Sequence, residues 1–287
     1  MAFLEERARL GGRVGVLVGG GGGLGRACAL DLGRAGMALE LCDRQRELLE
    51  RTVEEVRSGG GSARGEVLDA RDPEALEGFW RGVAERHPGG VHALVNVVGG
   101  TFRQPFVESN PRGWDALIRT NFTWMLHSIR LAVPLLATGG GSIINLTSIE
   151  AHRAAPDFAV YCSMKSAVES LSRTLAVELG PQGIRVNTIA PDHIITEGLA
   201  GIEGVRESPG DHEREEMSPG RRAIVPLARE GTYADVGNCA LFLASDLSSY
   251  ITGTSLHPDG GALAASGWWY EPGVGFRSEP GAGPPAG

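Results

Sequence analysis

The chain has 287 residues, 42% of them hydrophobic and 6% aromatic, enough apolar material for one large core. A formal net charge of −8 and a pI near 5.4 exclude the basic face that a nucleic-acid binder needs. No basic amphipathic segment, and no apolar run near the ~18–20 residues of a span, points to a membrane.

The start, MAFLEERARLGGRV, is charged early and lacks the apolar stretch of a secretory signal. Cys28, Cys42, Cys162 and Cys239 are scattered without zinc or redox spacing, so idle thiols in a cytoplasmic protein are expected. The histidines show no ligand spacing either, and no metal site is expected.

In chain order, VGVLV (14–18) reads as a buried strand, followed by a glycine run and a helical pattern over 24–35. The spacing of Gly19, Gly23 and Gly25 suits a turn that brings backbone close to a pyrophosphate at a helix N-terminus. ALELC (38–42) is the second strand, with Asp43 at its end, 18 residues past Gly25. A carboxylate there can accept both ribose hydroxyls of NAD and would repel a 2′-phosphate. It can also cap the helical pattern over 44–57, and Arg44 beside it can pair with a 2′-phosphate. NAD is preferred; NADP stays open.

ARGEVL (63–68) is a weaker strand, followed by a helix over 73–86, the strand HALVNVV (92–98) and a long helical pattern over 113–137. SIINL (142–146), a helix over 158–179, IRVNTI (184–189), a helix over 232–244 and the short strand TSLHP (254–258) complete the series. Continuous apolar strands imply a sheet covered on both faces. The expected fold is α/β: a single doubly wound Rossmann-type domain over 1–265, its parallel sheet of about seven strands flanked by helices on both faces. Residues 192–226, polar and with two Pro-Gly pairs, read as a substrate lid or loop. Residues 266–287 read as a Gly/Pro-rich tail, with the aromatic cluster GWWY expected to dock on its own core or on a partner subunit.

Lys165 is the only lysine; every other cation in the Lys+Arg total of 27 is arginine. It stands four residues after Tyr161 on a predicted helix, so the phenol and the ammonium share one face. An ammonium nearby favours the phenolate, and its compact shape is not replaced by a guanidinium fork. Tyr-x-x-x-Lys alone is an ordinary helix pair. Ser148, arriving from a strand end 13 residues upstream, can steady charge on a substrate oxygen and gives the pair a catalytic reading.

These residues resemble the short-chain dehydrogenase/reductase family from about Gly12 to Gly261. Its TGxxxGxG turn corresponds to Val18 through Gly25, with valine in place of threonine; Gly19, Gly23, Leu24 and Gly25 would lie at the cofactor. Its NNAG corresponds to Asn96, Val97, Val98 and Gly99. The resemblance implies a catalytic set of Asn121, Ser148, Tyr161 and Lys165, with Asn121 holding a water that joins Lys165 to solvent. It also implies that Asp69 and Ala70 sit near the adenine, and that Pro191, Ile194 and Thr196 border the nicotinamide side. Asp192 replaces the family's usual glycine; it is a candidate contact to the oxidised ring or to substrate, or a solvent-facing residue. Glu150 and His193 are further candidate substrate contacts, and His152 lies near the cleft.

The activity implied is interconversion of a secondary alcohol and a ketone by hydride transfer, with Tyr161 as general acid/base. Two alternatives stay open: reduction of a 3-oxoacyl thioester, with Arg221 and Arg222 as a basic entrance, and a catalytically silent NAD sensor. The resemblance also implies a homo-oligomer, a dimer or a tetramer, formed through the helices that hold Asn121 and Tyr161.

Overall fold

The computed structural model describes residues 3–136, 138–192, 194, 218–271 and 273–278. Seven parallel strands lie in the order β3-β2-β1-β4-β5-β6-β7. They are β1 (Val14–Val18), β2 (Ala38–Asp43), β3 (Ser62–Val67), β4 (Ala93–Asn96), β5 (Gly141–Leu146), β6 (Ile184–Ile189) and β7 (Ser255–Leu256). Strand order reverses between β1 and β4, which opens a crevice at the carboxyl ends of the strands.

Period-two alternation explains why these strands read as unbroken apolar runs. Leu17, Val95 and Ile144 face one core, packed by α2 (Gly23–Arg34), α3 (Arg46–Ser58) and α9 (Tyr233–Ala244). Val16, Val18, Leu94 and Ile143 face the other, packed by α4 (Pro73–Arg86), α6 (Trp124–Leu136) and α7 (Ala159–Leu179). Caps set several helix starts: Asp72 accepts from the backbone N–H groups of Glu74 and Ala75, and Thr232 and Asp235 form a capping box.

Three features depart from the sequence reading. A short α1 (Phe3–Ala8) precedes β1. The pattern over 113–137 is not one helix: α5 (Pro111–Ile118) runs into a π-helical turn, Arg119–Thr123, before α6 begins. The expected tail carries a hairpin, β8 (Trp269–Glu271) with β9 (Gly275–Arg277), in which Tyr270 and Phe276 pack at 5.4 Å. β8 lies against α8 (Pro219–Ile224), while Trp268 and Tyr270 remain exposed. Most of the expected lid, including His193 and Thr196, lies outside the described residues. No helix among the described residues is long and apolar enough to cross a membrane.

Candidate active site

The first turn after β1 is glycine because nothing larger fits. Gly19 has φ +91, and a Cβ there would fall 2.8 Å from Val98 Cγ2 and 2.9 Å from Val98 N. A Cβ on Gly25 would run into the carbonyl oxygen of Gly19. The turn is braced from outside: Thr52 Oγ1 donates to the Gly21 carbonyl at 2.7 Å, and the Gly21 N–H donates to Asp43 Oδ2 at 3.0 Å. No side chain caps α2 at its N-terminus. An uncapped helix start behind a glycine cradle fits a dinucleotide pyrophosphate. Val18, in place of the family's threonine, is fully buried in the core.

Asp43 is not the cap of α3, whose N-cap is Gln45 with no side-chain cap bond, because the helix starts three residues further on. Its Oδ1 accepts from the Gln45 N–H at 3.0 Å at the entrance to α3, while its Oδ2 faces the glycine turn. Arg44 is exposed. Asp69 is less available than its sequence position suggests. Arg71 grips its carboxylate through Nε at 2.9 and 3.1 Å and Nη2 at 2.6 Å, and holds it below the usual carboxylate range. Ala70 is buried beside it.

Asn96 ends β4, but its side chain is turned into the core. Its Nδ2 donates to Asn145 Oδ1 at 2.8 Å, its Oδ1 accepts from Ser128 Oγ at 3.1 Å, and Asn145 Nδ2 donates to Ser172 Oγ at 2.9 Å. Val97 N–H continues the ladder to the Val18 carbonyl at 2.9 Å.

Ser148, Tyr161, Lys165 and Asn121 are brought together at the strand ends. Ser148 lies just past β5, where its Oγ accepts the Glu150 N–H at 3.2 Å and opens a 3-10 turn, Ile149–Ala151. The Ser148 hydroxyl faces the Tyr161 phenol closely enough to favour its charged form. Lys165 is buried; its Nζ donates to the Leu146 carbonyl at 3.1 Å and lies 5.6 Å from the Tyr161 ring centre. A Cβ on Gly99 would fall 3.1 Å from that Nζ and 3.2 Å from Asn121 Oδ1, so the backbone passes close to both. Asn121 sits in the π-helical turn and bonds Gly100 twice, accepting its N–H at 3.2 Å and donating to its carbonyl at 2.8 Å. It also donates to the Leu117 carbonyl at 3.0 Å.

Burial pushes the Tyr161 phenol up to about 12; the neighbouring Ser148 hydroxyl pulls the other way and the Glu150 charge adds to the rise. Burial pulls the Lys165 ammonium down to about 8. The two shifts oppose each other across one short gap.

Asp192 is not directed into solvent. Its side chain is 8% exposed, with Oδ1 accepting from Arg153 Nη2 at 3.1 Å and Oδ2 from Arg221 Nη1 at 3.3 Å. Arg153 also pairs with Glu150 at 2.8 Å, and Arg221 reaches Glu230 at 3.5 Å. The candidate contacts Glu150 and Asp192 are thus joined through an arginine that the sequence reading passed over. Its signal was visible as Glu150 and Arg153 at i,i+3. The Pro191 carbonyl accepts the Ile149 N–H at 3.0 Å, tying the two turns, and Ile194 is buried in the core and bridges Gly231. His152 packs on His257 rather than projecting outward, with ring centres 4.6 Å apart.

The cysteines are free, and burial raises the Cys28 thiol to about 12. Among the described residues no cluster could hold a metal ion.

A protein-family profile described as Enoyl-(Acyl carrier protein) reductase matches residues 19–262. The chain is 34% identical over 254 residues to a 2,5-dichloro-2,5-cyclohexadiene-1,4-diol dehydrogenase of Sphingobium indicum, covering 88% of this chain and 97% of that one. It is 34% identical over 265 residues to the D-erythrulose reductase of Gallus gallus, covering 91% and 100%. A solved structure described as an NAD(P)-dependent gluconate 5-dehydrogenase of Beutenbergia cavernae, with NADP bound at low occupancy, superposes with a TM-score of 0.80 at 31% identity. That match covers 89% of this chain and 98% of the other.

Proposed function

This chain belongs to the short-chain dehydrogenase/reductase family and interconverts a secondary alcohol and a ketone with NAD or NADP, and on that premise we propose that Ser148, Tyr161 and Lys165 carry the reaction's proton. The observation that carries this reading is buried Lys165, whose Nζ lies 5.6 Å from the Tyr161 ring centre and donates to the Leu146 carbonyl at the strand end that presents Ser148. The nicotinamide, when bound, supplies or accepts the hydride. Around it, the protein's own groups handle the oxygen and its proton.

Above about pH 8 the Tyr161–Lys165 pair holds one proton fewer than below, because Lys165 gives its proton up there. Moving the remaining proton from the phenol to Lys165 gives the tautomer that accepts the substrate's proton, a Tyr161 phenolate stabilised by the ammonium. In the oxidation direction the substrate hydroxyl gives its proton to the Tyr161 oxygen, while Ser148 Oγ donates to the same substrate oxygen. Reduction reverses the transfer. Asn121 holds the Gly99–Gly100 turn beside Lys165.

For the cofactor, the turn Gly19–Gly25 with Leu24 takes the pyrophosphate, Asp43 the adenosine ribose, and Tyr161 and Lys165 the other ribose. Asp69, Ala70, Val97 and Gly99 frame the adenine and central portions, with Asn96 holding that strand end from the core side, and Pro191 and Ile194 frame the nicotinamide end. NAD is the preferred form, because the Asp43 carboxylate at Gly21 opposes a 2′-phosphate. Residues 192–226 act as the substrate lid. The apolar groove between α6 and α7, lined by Leu126, Ile129, Val133, Leu171, Leu175 and Leu179, is covered by a second copy of the chain. A single boundary by sedimentation at the monomer mass would overturn that assignment.

The test is Tyr161→Phe, assayed on a panel of cyclic diols, open-chain polyols and a 3-oxoacyl thioester. We expect cofactor binding to persist while turnover falls by about 10³ or more. Near-normal turnover would sink the assignment. The thioester reading is weaker, because Arg221 is engaged by Asp192 and Glu230 instead of standing free at an entrance.

A further inference from the structure

Glu169 lies on α7 four residues after Lys165 and eight after Tyr161, so the three side chains share one helix face. It is a buried acid that the proton chemistry above does not use. One of its oxygens, Oε1, gathers donors from every neighbouring element. Thr147 Oγ1, from the exit of β5, donates at 2.7 Å. Thr188 Oγ1, on β6, donates at 2.8 Å, and Ser255 Oγ, on β7, at 3.2 Å. His152 Nε2, from the turn that Ser148 opens, lies 3.4 Å away. The second oxygen has Arg173 Nη1 at 3.9 Å.

A lone buried carboxylate is costly, and three hydroxyl donors converging on one oxygen offset that cost. The consequence is mechanical. Thr147 is the residue before Ser148, and its backbone N–H is already tied to the Ile189 carbonyl at 2.8 Å. Its side chain is tied through Glu169 to the helix that carries Tyr161 and Lys165. The strand end that presents the serine and the helix that presents the phenol and ammonium therefore meet at one carboxyl oxygen. Thr188 and Ser255 extend the same tie to the ends of β6 and β7.

We propose that Glu169 is a positioning residue of this enzyme, fixing Ser148 opposite Tyr161 by binding Thr147 and His152 to the catalytic face of α7. The inference rests on the reading of Ser148, Tyr161 and Lys165 as the catalytic set. Glu169 touches none of the reacting atoms; it acts through the placement of Ser148. A misplacement near 1 Å at a reacting group is enough to cost about a hundredfold in rate.

The experiment compares Glu169→Ala, Glu169→Gln, Thr147→Val and Tyr161→Phe, using NAD and the panel alcohol that the wild-type protein turns over fastest. Cofactor affinity is read in parallel from tryptophan fluorescence, and the melting temperature reports folding. Glu169→Ala is expected to lose at least about tenfold in kcat, with KM and cofactor Kd within about twofold. Glu169→Gln, which keeps an acceptor oxygen, recovers most of that loss, and Thr147→Val loses about threefold to tenfold in kcat alone.

Wild-type kcat in Glu169→Ala or Thr147→Val would overturn the proposal. So would losses that match a fall in cofactor-binding stoichiometry, because that is the mark of partial unfolding. If Glu169→Ala does not fold, Thr147→Val and Glu169→Gln decide the matter by the same criteria. Full activity in Tyr161→Phe would instead overturn the catalytic set itself, which keeps the two failures apart.

Discussion

Two clusters of opposite chemistry hold the cleft together. Around α7, Ser148, Lys165 and Glu169 are buried and tied chiefly by hydroxyls and carbonyls, with Arg173 standing off Glu169 at 3.9 Å. Around the 3-10 turn after β5, the ties are ion pairs: Glu150 with Arg153, Arg153 with Asp192, Asp192 with Arg221, and Arg221 with Glu230. The arginines there are 27% and 23% exposed. Partly exposed ion pairs weaken with salt, whereas buried neutral donors do not. The difference teaches that the proton-handling cluster is built for fixed geometry, while the cluster holding Asp192 to α8 is built as a strong but adjustable fastening.

The sharpest way to break this contrast is Lys165→Arg. Arginine keeps the charge but cannot release a proton, and Gly99 leaves a guanidinium little room. Turnover is expected to fall by about 10³, and full retention would show that charge alone suffices. Ser148→Ala follows, with an expected loss of about 10² in kcat and little change in cofactor affinity, since it removes a donor to the substrate oxygen.

On the ionic side the effect should be smaller and different in kind. Asp192→Asn is expected to raise KM for the alcohol about tenfold with kcat nearly kept, because it frees α8 from the turn after β6 without touching the proton pair. Wild-type KM should also rise between 50 and 500 mM salt, a rise that Asp192→Asn should lack. A loss confined to kcat would place Asp192 in the chemistry instead. Smallest of all, Asp43→Ser should shift the NAD-to-NADP ratio of kcat/KM toward NADP by about fivefold to tenfold, and an unchanged ratio would remove Asp43 from cofactor choice.

What the sequence revealed followed from short-range geometry. Tyr161 and Lys165 are one helical turn apart, and Ser148 follows a strand, so their meeting was legible. The orientation of Asn96 was legible too in principle: alternation along β4 puts it with Leu94, facing α6 and Ser128, and away from the crevice. The long helical pattern over 113–137 carried no mark of the π-helical turn at Asn121, because one extra residue turns the following face by about 100° and α6, WMLHSIRLAVPLL, is apolar on most sides, which masks that turn. The partners of Asp192 lie 39 and 29 residues away, and those of Glu169 as far as 86, separations that only the folded sheet brings together. Asp69 was placed by its strand end, but the Arg71 grip arises in a turn whose shape the residue types do not dictate.

The central claim, that one proton passes through the pair of Tyr161 and buried Lys165, is tested most directly by the pH dependence of alcohol oxidation. Lys165 has a folded pKa of about 8 against an ordinary 10.5, so its ammonium loses a proton earlier than in the unfolded chain. The sign follows. The pair can accept the substrate proton only once it has lost one of its own, so kcat/KM should rise with unit slope below an apparent pKa near about 8 and level off above it. The same lysine's contribution to stability should grow from about pH 8 to 10.5, where the unfolded chain holds more protons than the folded one. A rising limb in the wild-type protein that vanishes with the activity in Tyr161→Phe is the predicted result. A flat profile from pH 6 to 10, or an unchanged limb in that variant, would contradict the account.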